Sequence, residues 1–172
     1  MIQIGREEHF LKNWRFIDLF AGIGGFHYAM QSFGAKCVLA SEIDTKASKQ
    51  YFINHGLLPE GDILDLATEN IPSYDMLCAG FPCQPFSVSG KQKGFNDSRG
   101  SLFFELIRII QGTRPKVILL ENVKNIVKHN NGETMLQILK ELESCNYTVF
   151  YDTINTSNFG LPQNRERTYF VF

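Results

Sequence analysis

"RFIDLFAGIGGFHYAM", residues 15–30, sets the fold. Positions 15–20 form an apolar run of strand length. Positions 24–34 place Phe26, Ala29, Met30 and Phe33 at helical spacing, with Gly34 as the stop. Between the two runs, Gly22, Gly24 and Gly25 permit a tight turn and close backbone approach to a ligand. A glycine turn of this kind also serves simply to pack a helix on a strand. Its spacing is GxGG rather than the dinucleotide GxGxxG, and no GK[ST] follows to hold a triphosphate.

The same alternation continues along the chain. Strands are expected at 36–44, 74–80, 116–123, 147–155 and 167–172, with a short strand end at 61–66. Helices are expected at 45–56, where Thr45 is a possible cap, and at 101–112 and 131–146. A loop of about 20 residues follows the strand at 74–80. Strand and helix in alternation specify an α/β fold, a doubly wound, mostly parallel sheet in one domain over 1–172. Ligands of such sheets sit outside the carboxyl ends of the strands.

Composition narrows the class. The chain has 172 residues, 44% hydrophobic and 20% charged, with a formal net charge of −1. That is an ordinary globular balance without the basic excess usual in nucleic-acid binders, although one basic face would leave the total unmoved. No stretch approaches a membrane span, and the first 14 residues lack the apolar run of a signal peptide. Cys37, Cys78, Cys83 and Cys145 show no CxxC spacing and the four histidines are scattered. Reduced thiols, no metal site and a cytoplasmic location are therefore expected.

The chemistry-bearing residues follow the strands. Glu42 ends the second strand, 20 residues after Gly22, where an acid can accept both hydroxyls of a ribose. Asp62 could accept a hydrogen bond from an adenine amino group. Either acid alone could be a solvated carboxylate; with the glycine turn they describe an adenosine pocket that needs no pyrophosphate. S-adenosylmethionine (AdoMet) meets that description. Cys83, in "AGFPCQPFS" (79–87), lies between Pro82 and Pro85 just beyond a strand. It could be a packed thiol, a metal ligand or a nucleophile on a stiffened turn. Glu121 leaves an apolar run, where a carboxylate needs a partner or a task. Arg165 and Arg167 open the last strand.

Taken together, "DLFAGIGGF", "SEID", "GDI", "GFPCQPFS", "GKQKGFNDSRGSLFFE", "ENV" and "QNRERTYFV" stand in the order found in one family. From about Arg15 to Phe172 the chain resembles the DNA (cytosine-5)-methyltransferases of bacterial restriction–modification systems. The resemblance implies AdoMet as cofactor and double-stranded DNA as substrate, with a target cytosine flipped out of the stack. Cys83 is implied as the nucleophile at cytosine C6. Glu121 is implied at the N3 and exocyclic-amine edge, Arg167 at O2 and Arg165 at the Cys83 end of the site. Phe20, Gly22, Ile23 and Gly25 are implied to line the cofactor, and Glu42 to take its ribose. Asp62 and Ile63 would meet the adenine, with Pro82 and Leu102 on the methionine side. Ile43 stands where many relatives carry an aromatic residue, so it would pack on the adenine face without stacking.

The segment 87–101 carries Lys91, Lys93 and Arg99 against Asp97 among three glycines. It reads as a lid that touches phosphate, with Gln84, Ser87 and Ser89 also facing DNA. Relatives of this kind usually continue beyond the arginine strand with a target-recognition region and a last segment of the cofactor site. A second polypeptide supplying them is one expectation. A non-catalytic AdoMet- or partner-binding remnant and a tRNA cytosine methyltransferase are the alternatives.

Overall fold

The computed structural model of the chain describes residues 10–82 and 101–172. Among the described residues there are six strands: β1 (Arg15–Leu19), β2 (Lys36–Ser41), β3 (Met76–Gly80), β4 (Val117–Val123), β5 (Phe150–Asn155) and β6 (Glu166–Val171). They form one sheet in the order β2-β1-β3-β4-β6-β5. The first four pair in parallel, while β6 runs antiparallel to both β4 and β5. Only ten residues join β5 to β6, too few for a crossover back to a parallel partner, so the chain must reverse. The sheet is thus mostly parallel, with β6 inserted between its neighbours.

Among the described residues, four α-helices pack on the sheet: α1 (Gly25–Ser32), α2 (Thr45–His55), α3 (Ser101–Thr113) and α4 (Glu133–Ser144). Side chains alternate across each strand. Ile17, Leu19, Leu77, Ala79, Ile118, Leu120 and Phe170 point to the face covered by Leu106 and Ile110 of α3 and Ile138 and Leu142 of α4. Phe16, Met76 and Cys78 point the other way and meet Met30 of α1. Ala40 joins Tyr51 of α2. Both faces of the sheet are therefore covered by helices, as the alternation requires. Leu106 is fully buried, so its truncation to alanine would cost about 2–5 kcal/mol.

Four local expectations are corrected. Asp44, not Thr45, caps α2; its carboxylate accepts from the amides of Lys46 at 2.9 Å and Ala47 at 2.8 Å. Residues 61–66 do not extend a strand. After a single bridge between Ser41 and Glu60, Asp62 accepts from the Leu64 amide at 3.0 Å and turns the chain into a 3-10 helix, Ile63–Asp65. Residues 147–149 precede β5, because Tyr147 turns inward to donate to the Pro115 carbonyl and to pack beside Phe172. α4 starts at Glu133, since Asn130 and Asn131 adopt left-handed angles and Gly132 takes the cap position.

Candidate active site

The chain leaves β1, at the centre of the parallel strands, and visits β2 on one side before returning to β3 on the other. The carboxyl ends of β1 and β3 at such a reversal are where sheets of this kind bind ligands. The glycine turn sits there. Phe20, Gly22 and Gly24 all have positive φ, at 54°, 57° and 94°. Only glycine holds such angles without cost, so two of the three positions are glycine by necessity. Ideal Cβ atoms at Gly22 and Gly25 would meet nothing within 4 Å, which leaves open space over the turn.

Glu42 is brought to this turn. One carboxylate oxygen accepts from the Gly22 amide at 2.7 Å and the other from the Asp44 amide at 2.8 Å. Ile23 and Ile43 flank it with exposed side chains. Asp62 stands at the start of its 3-10 helix, beyond the end of β2. The Ile63 side chain is buried in the main core, which leaves its backbone to face outward beside Asp62. Phe20 and Leu102 pack partly against the same core, and Pro82 is exposed at the exit of β3.

Glu121 and Arg167 lie further along the sheet, on β4 and β6. Glu121 of β4 and Arg167 of β6 form an ion pair, Arg167 Nε to Glu121 Oε1 at 2.8 Å. Antiparallel pairing sets Val123 opposite Arg167 and Glu121 opposite Tyr169, so acid and arginine are diagonal neighbours on one face. This is the partner that a carboxylate in an apolar strand requires. Arg167 also donates through Nη1 to the Glu166 carbonyl at 2.8 Å. Arg165 is not in the ion pair. It reaches the same region from the rim of a cleft of about 300 Å³, whose wall includes Ile154, Phe159, Leu161, Tyr169 and Arg167. Burial and the nearby Glu121 charge push the Tyr169 hydroxyl up.

Gly80 pairs with Glu121 across the β3–β4 ladder, and Phe81 is fixed in the core against Phe103 and Phe170. Asn122 donates to the Phe81 carbonyl at 3.0 Å from a buried position. The strand that leads toward Cys83 is therefore tied to the strand that carries Glu121. Asn122 had no role of its own in the sequence reading, although it stands in the "ENV" motif and is polar in a buried strand. Cys83, Gln84, Ser87, Ser89, Lys91, Lys93 and Arg99 lie outside the described residues.

A buried polar group was also missed. Asp18 of β1 is 1% exposed, and neither carboxylate oxygen has a hydrogen-bond partner among the described residues. Burial holds its carboxyl well above the usual range, against the opposing pull of the His27 amide, with the Glu42 charge adding to the rise. Nearby, His27 and Tyr51 share a hydrogen bond of 2.6 Å. Burial, and then the charge of His55, pull His27 down to about 4. A charged residue at an inward position of "RFIDLF" was the available signal. Among the described residues, no group of three or more His, Cys, Asp or Glu side chains could hold a metal ion. No described helix is long and apolar enough to cross a membrane.

Residues 14–172 match the family model described as C-5 cytosine-specific DNA methylase. The type II methyltransferase M.HhaI of Haemophilus parahaemolyticus is 48% identical over 171 residues, covering 99% of this chain and 52% of that protein. M.HpaII of Haemophilus parainfluenzae is 52% identical over 164 residues, covering 93% and 46%. Among solved structures, the S. pombe Dnmt2 methyltransferase superposes with a TM-score of 0.76 at 28% identity, covering 92% of this chain and 50% of that one. The chain thus spans about half the length of the curated relatives it matches.

Proposed function

We propose, from the premise that this chain belongs to the C-5 cytosine-specific DNA methylase family, that it is the catalytic, AdoMet-binding part of a DNA cytosine-5 methyltransferase. One observation carries this: the glycine turn, Glu42, the exit of β3 and the Glu121–Arg167 pair all converge on one edge of the sheet. A cofactor and a base bound at that edge would be neighbours.

The residues fit AdoMet. Open space over Gly22 and Gly25, exposed Ile23 and Ile43, and an acid bonded to the turn are what an adenosine with a short polar tail requires. Glu42 would take the ribose hydroxyls, and Asp62 with the Ile63 backbone the adenine. Phe20, Ile23 and Ile43 would supply apolar contact, and Gly22, Gly25, Pro82 and Leu102 the methionine side. When bound, AdoMet supplies an electrophilic methyl group on a sulfonium.

The protein's own groups make cytosine C5 reactive. The Cys83 thiolate adds to C6, and the electron pair of the C5–C6 double bond moves toward C5 as N3 takes a proton at the Glu121 edge. Arg167 holds Glu121 in place through Nε and meets the base O2 through its remaining guanidinium nitrogen; Arg165 supports the Cys83 end. After methylation, loss of the C5 proton and β-elimination of the thiolate restore the ring and free Cys83. The target base must leave the duplex, and Gln84, Ser87, Ser89, Lys91, Lys93 and Arg99 would contact the DNA around it. Target recognition belongs to sequence corresponding to the relatives' remaining length, on the same or a second polypeptide.

A radiolabelled methyl-transfer assay tests this, with the 172-residue chain alone and with a complementing C-terminal polypeptide, on DNA and on tRNA. Labelled 5-methylcytosine in DNA is expected only in the complemented reaction. Label in tRNA alone, or in neither substrate, overturns the assignment. Robust sequence-specific methylation by the 172-residue chain alone overturns the need for a second part.

A further inference from the structure

The glycine turn is held from behind by the last turn of α2, a segment with no part in the site described above. Asn54 donates through Nδ2 to the Ile23 carbonyl at 2.9 Å, across 31 residues of sequence. Gln50 donates to Asn54 Oδ1 at 2.8 Å and so fixes which end of the amide faces Ile23. One residue on, the His55 ring lies against Gly24, where an ideal Cβ would overlap it. His55 stacks flat on His27, with ring centroids 4.0 Å apart and planes at 10°, and tilts against Tyr51 at 4.8 Å. Tyr51 is fully buried and bonded to His27, so the imidazole has a rigid backing.

The turn needs such support. Its left-handed angles at Phe20, Gly22 and Gly24 persist only where the surroundings over-determine them. Gly24 starts α1 without a side-chain cap. Glu42 holds the turn at Gly22, on the ligand side; Asn54 and His55 hold the next two residues from the opposite side.

We propose that Asn54 and His55 are positioning residues for the cofactor: they lock Ile23 and Gly24 so that the turn presents a preformed AdoMet surface. The inference rests on the reading of this turn as the AdoMet site. One hydrogen bond of this kind is worth roughly 0.5–1.5 kcal/mol, which corresponds to about 2- to 13-fold in affinity.

Two measurements on the 172-residue chain test it. By calorimetry, Asn54→Ala and His55→Ala are expected to weaken AdoMet binding by about 3- to 10-fold, and His55→Phe, which keeps a flat ring over Gly24, to stay near wild type. By amide hydrogen exchange without cofactor, Gly24 and Gly25 are expected to exchange faster in both alanine variants and not in His55→Phe. In the complemented enzyme the alanine variants should raise the KM for AdoMet and leave kcat unchanged. Gly24→Ala should cost less in a His55→Ala background than alone. A wild type that binds AdoMet, with unaltered affinity and exchange in both alanine variants, overturns this inference and leaves the proposed function standing. A wild type, alone and complemented, that binds no AdoMet overturns both.

Discussion

Asp18→Asn should make the protein more stable, and by an amount that depends on pH. Asp18 is buried in β1, neither carboxylate oxygen makes a well-formed hydrogen bond among the described residues, and burial holds its carboxyl well above the usual range against the weaker pull of the His27 amide and the Tyr51 hydroxyl. In the unfolded chain the group ionises above its ordinary pKa of about 3.9, while the native state keeps the proton. Over that interval the native state binds more protons, so stability falls as pH rises. Its contribution is full below the unfolded pKa and is lost as pH climbs toward the raised folded value. Asparagine has nearly the same shape and no proton to lose, so that slope disappears. Asparagine leaves the same kind of polar atoms buried, so the gain comes from the ionisation alone, at about 1.4 kcal/mol for each tenfold difference in proton affinity between folded and unfolded states. Asp18→Asn should therefore gain on the order of 1 kcal/mol between the acid end and neutral pH, a rise in Tm of roughly 2–4 °C. Thermal melts followed by circular dichroism, from about pH 4.5 to pH 8.5, measure it directly. The variant and wild type should converge at the acid end and separate as pH rises. A variant less stable than wild type at neutral pH, or a gap that does not change with pH, would refute the reasoning.

Four further outcomes are expected. His27, pulled down to about 4 by burial and by His55, contributes stability that is complete above its unfolded pKa near 6.5 and lost as pH falls toward 4. His27→Phe should therefore flatten the acid limb of the stability profile in urea titrations. Asp44→Ala should lose the α2 cap at about 1 kcal/mol and lower Tm by roughly 2–4 °C, while Thr45→Ala should not; equal losses would return the cap to Thr45. In the complemented enzyme, Cys83→Ser should abolish covalent trapping on 5-fluorocytosine DNA, and an adduct that persists would remove Cys83 as the nucleophile. Arg167→Ala leaves Glu121 without its partner and should cut methyl transfer at least tenfold, whereas Arg165→Ala, which leaves that ion pair intact, should cut it less; equal effects of the two would show that the ion pair does not orient Glu121.

Much of this was readable in the chain because buried parallel strands announce themselves. Runs such as "KVILLENV" have few other destinations, and the glycines after β1 and the acid after β2 fall where such a sheet binds ligands. Glu42 indeed reaches Gly22. The direction of β6 was not readable, since an apolar run carries no arrow; the short return from β5 decides it. Asp44 and Thr45 are both good caps, and only the bonds to Lys46 and Ala47 choose between them. That the Ile63 side chain turns into the core was not legible, because the 3-10 turn after Asp62 decides it. Asn54 and His55 read as an ordinary helix end, because their partners lie some 31 residues earlier in the chain.

The antiparallel seating of β6 has a consequence for how the site can fail. Arg165 and Arg167 alternate with Glu166, and Thr168 and Phe170 fill buried positions on the opposite face. A slip of one residue along β4 would carry Arg167 into the hydrophobic interior and turn Phe170 outward. It would also set Glu166 toward Glu121, acid against acid. The register of the strand is thus proofread by the core: an error unfolds the sheet before it can yield a stable protein with the wrong charge beside Glu121. The connection 156–165 is held to the same register, since Thr156 donates through Oγ1 to the Gln163 carbonyl at 2.6 Å and Asn155 through Nδ2 to Asn164 Oδ1 at 2.7 Å.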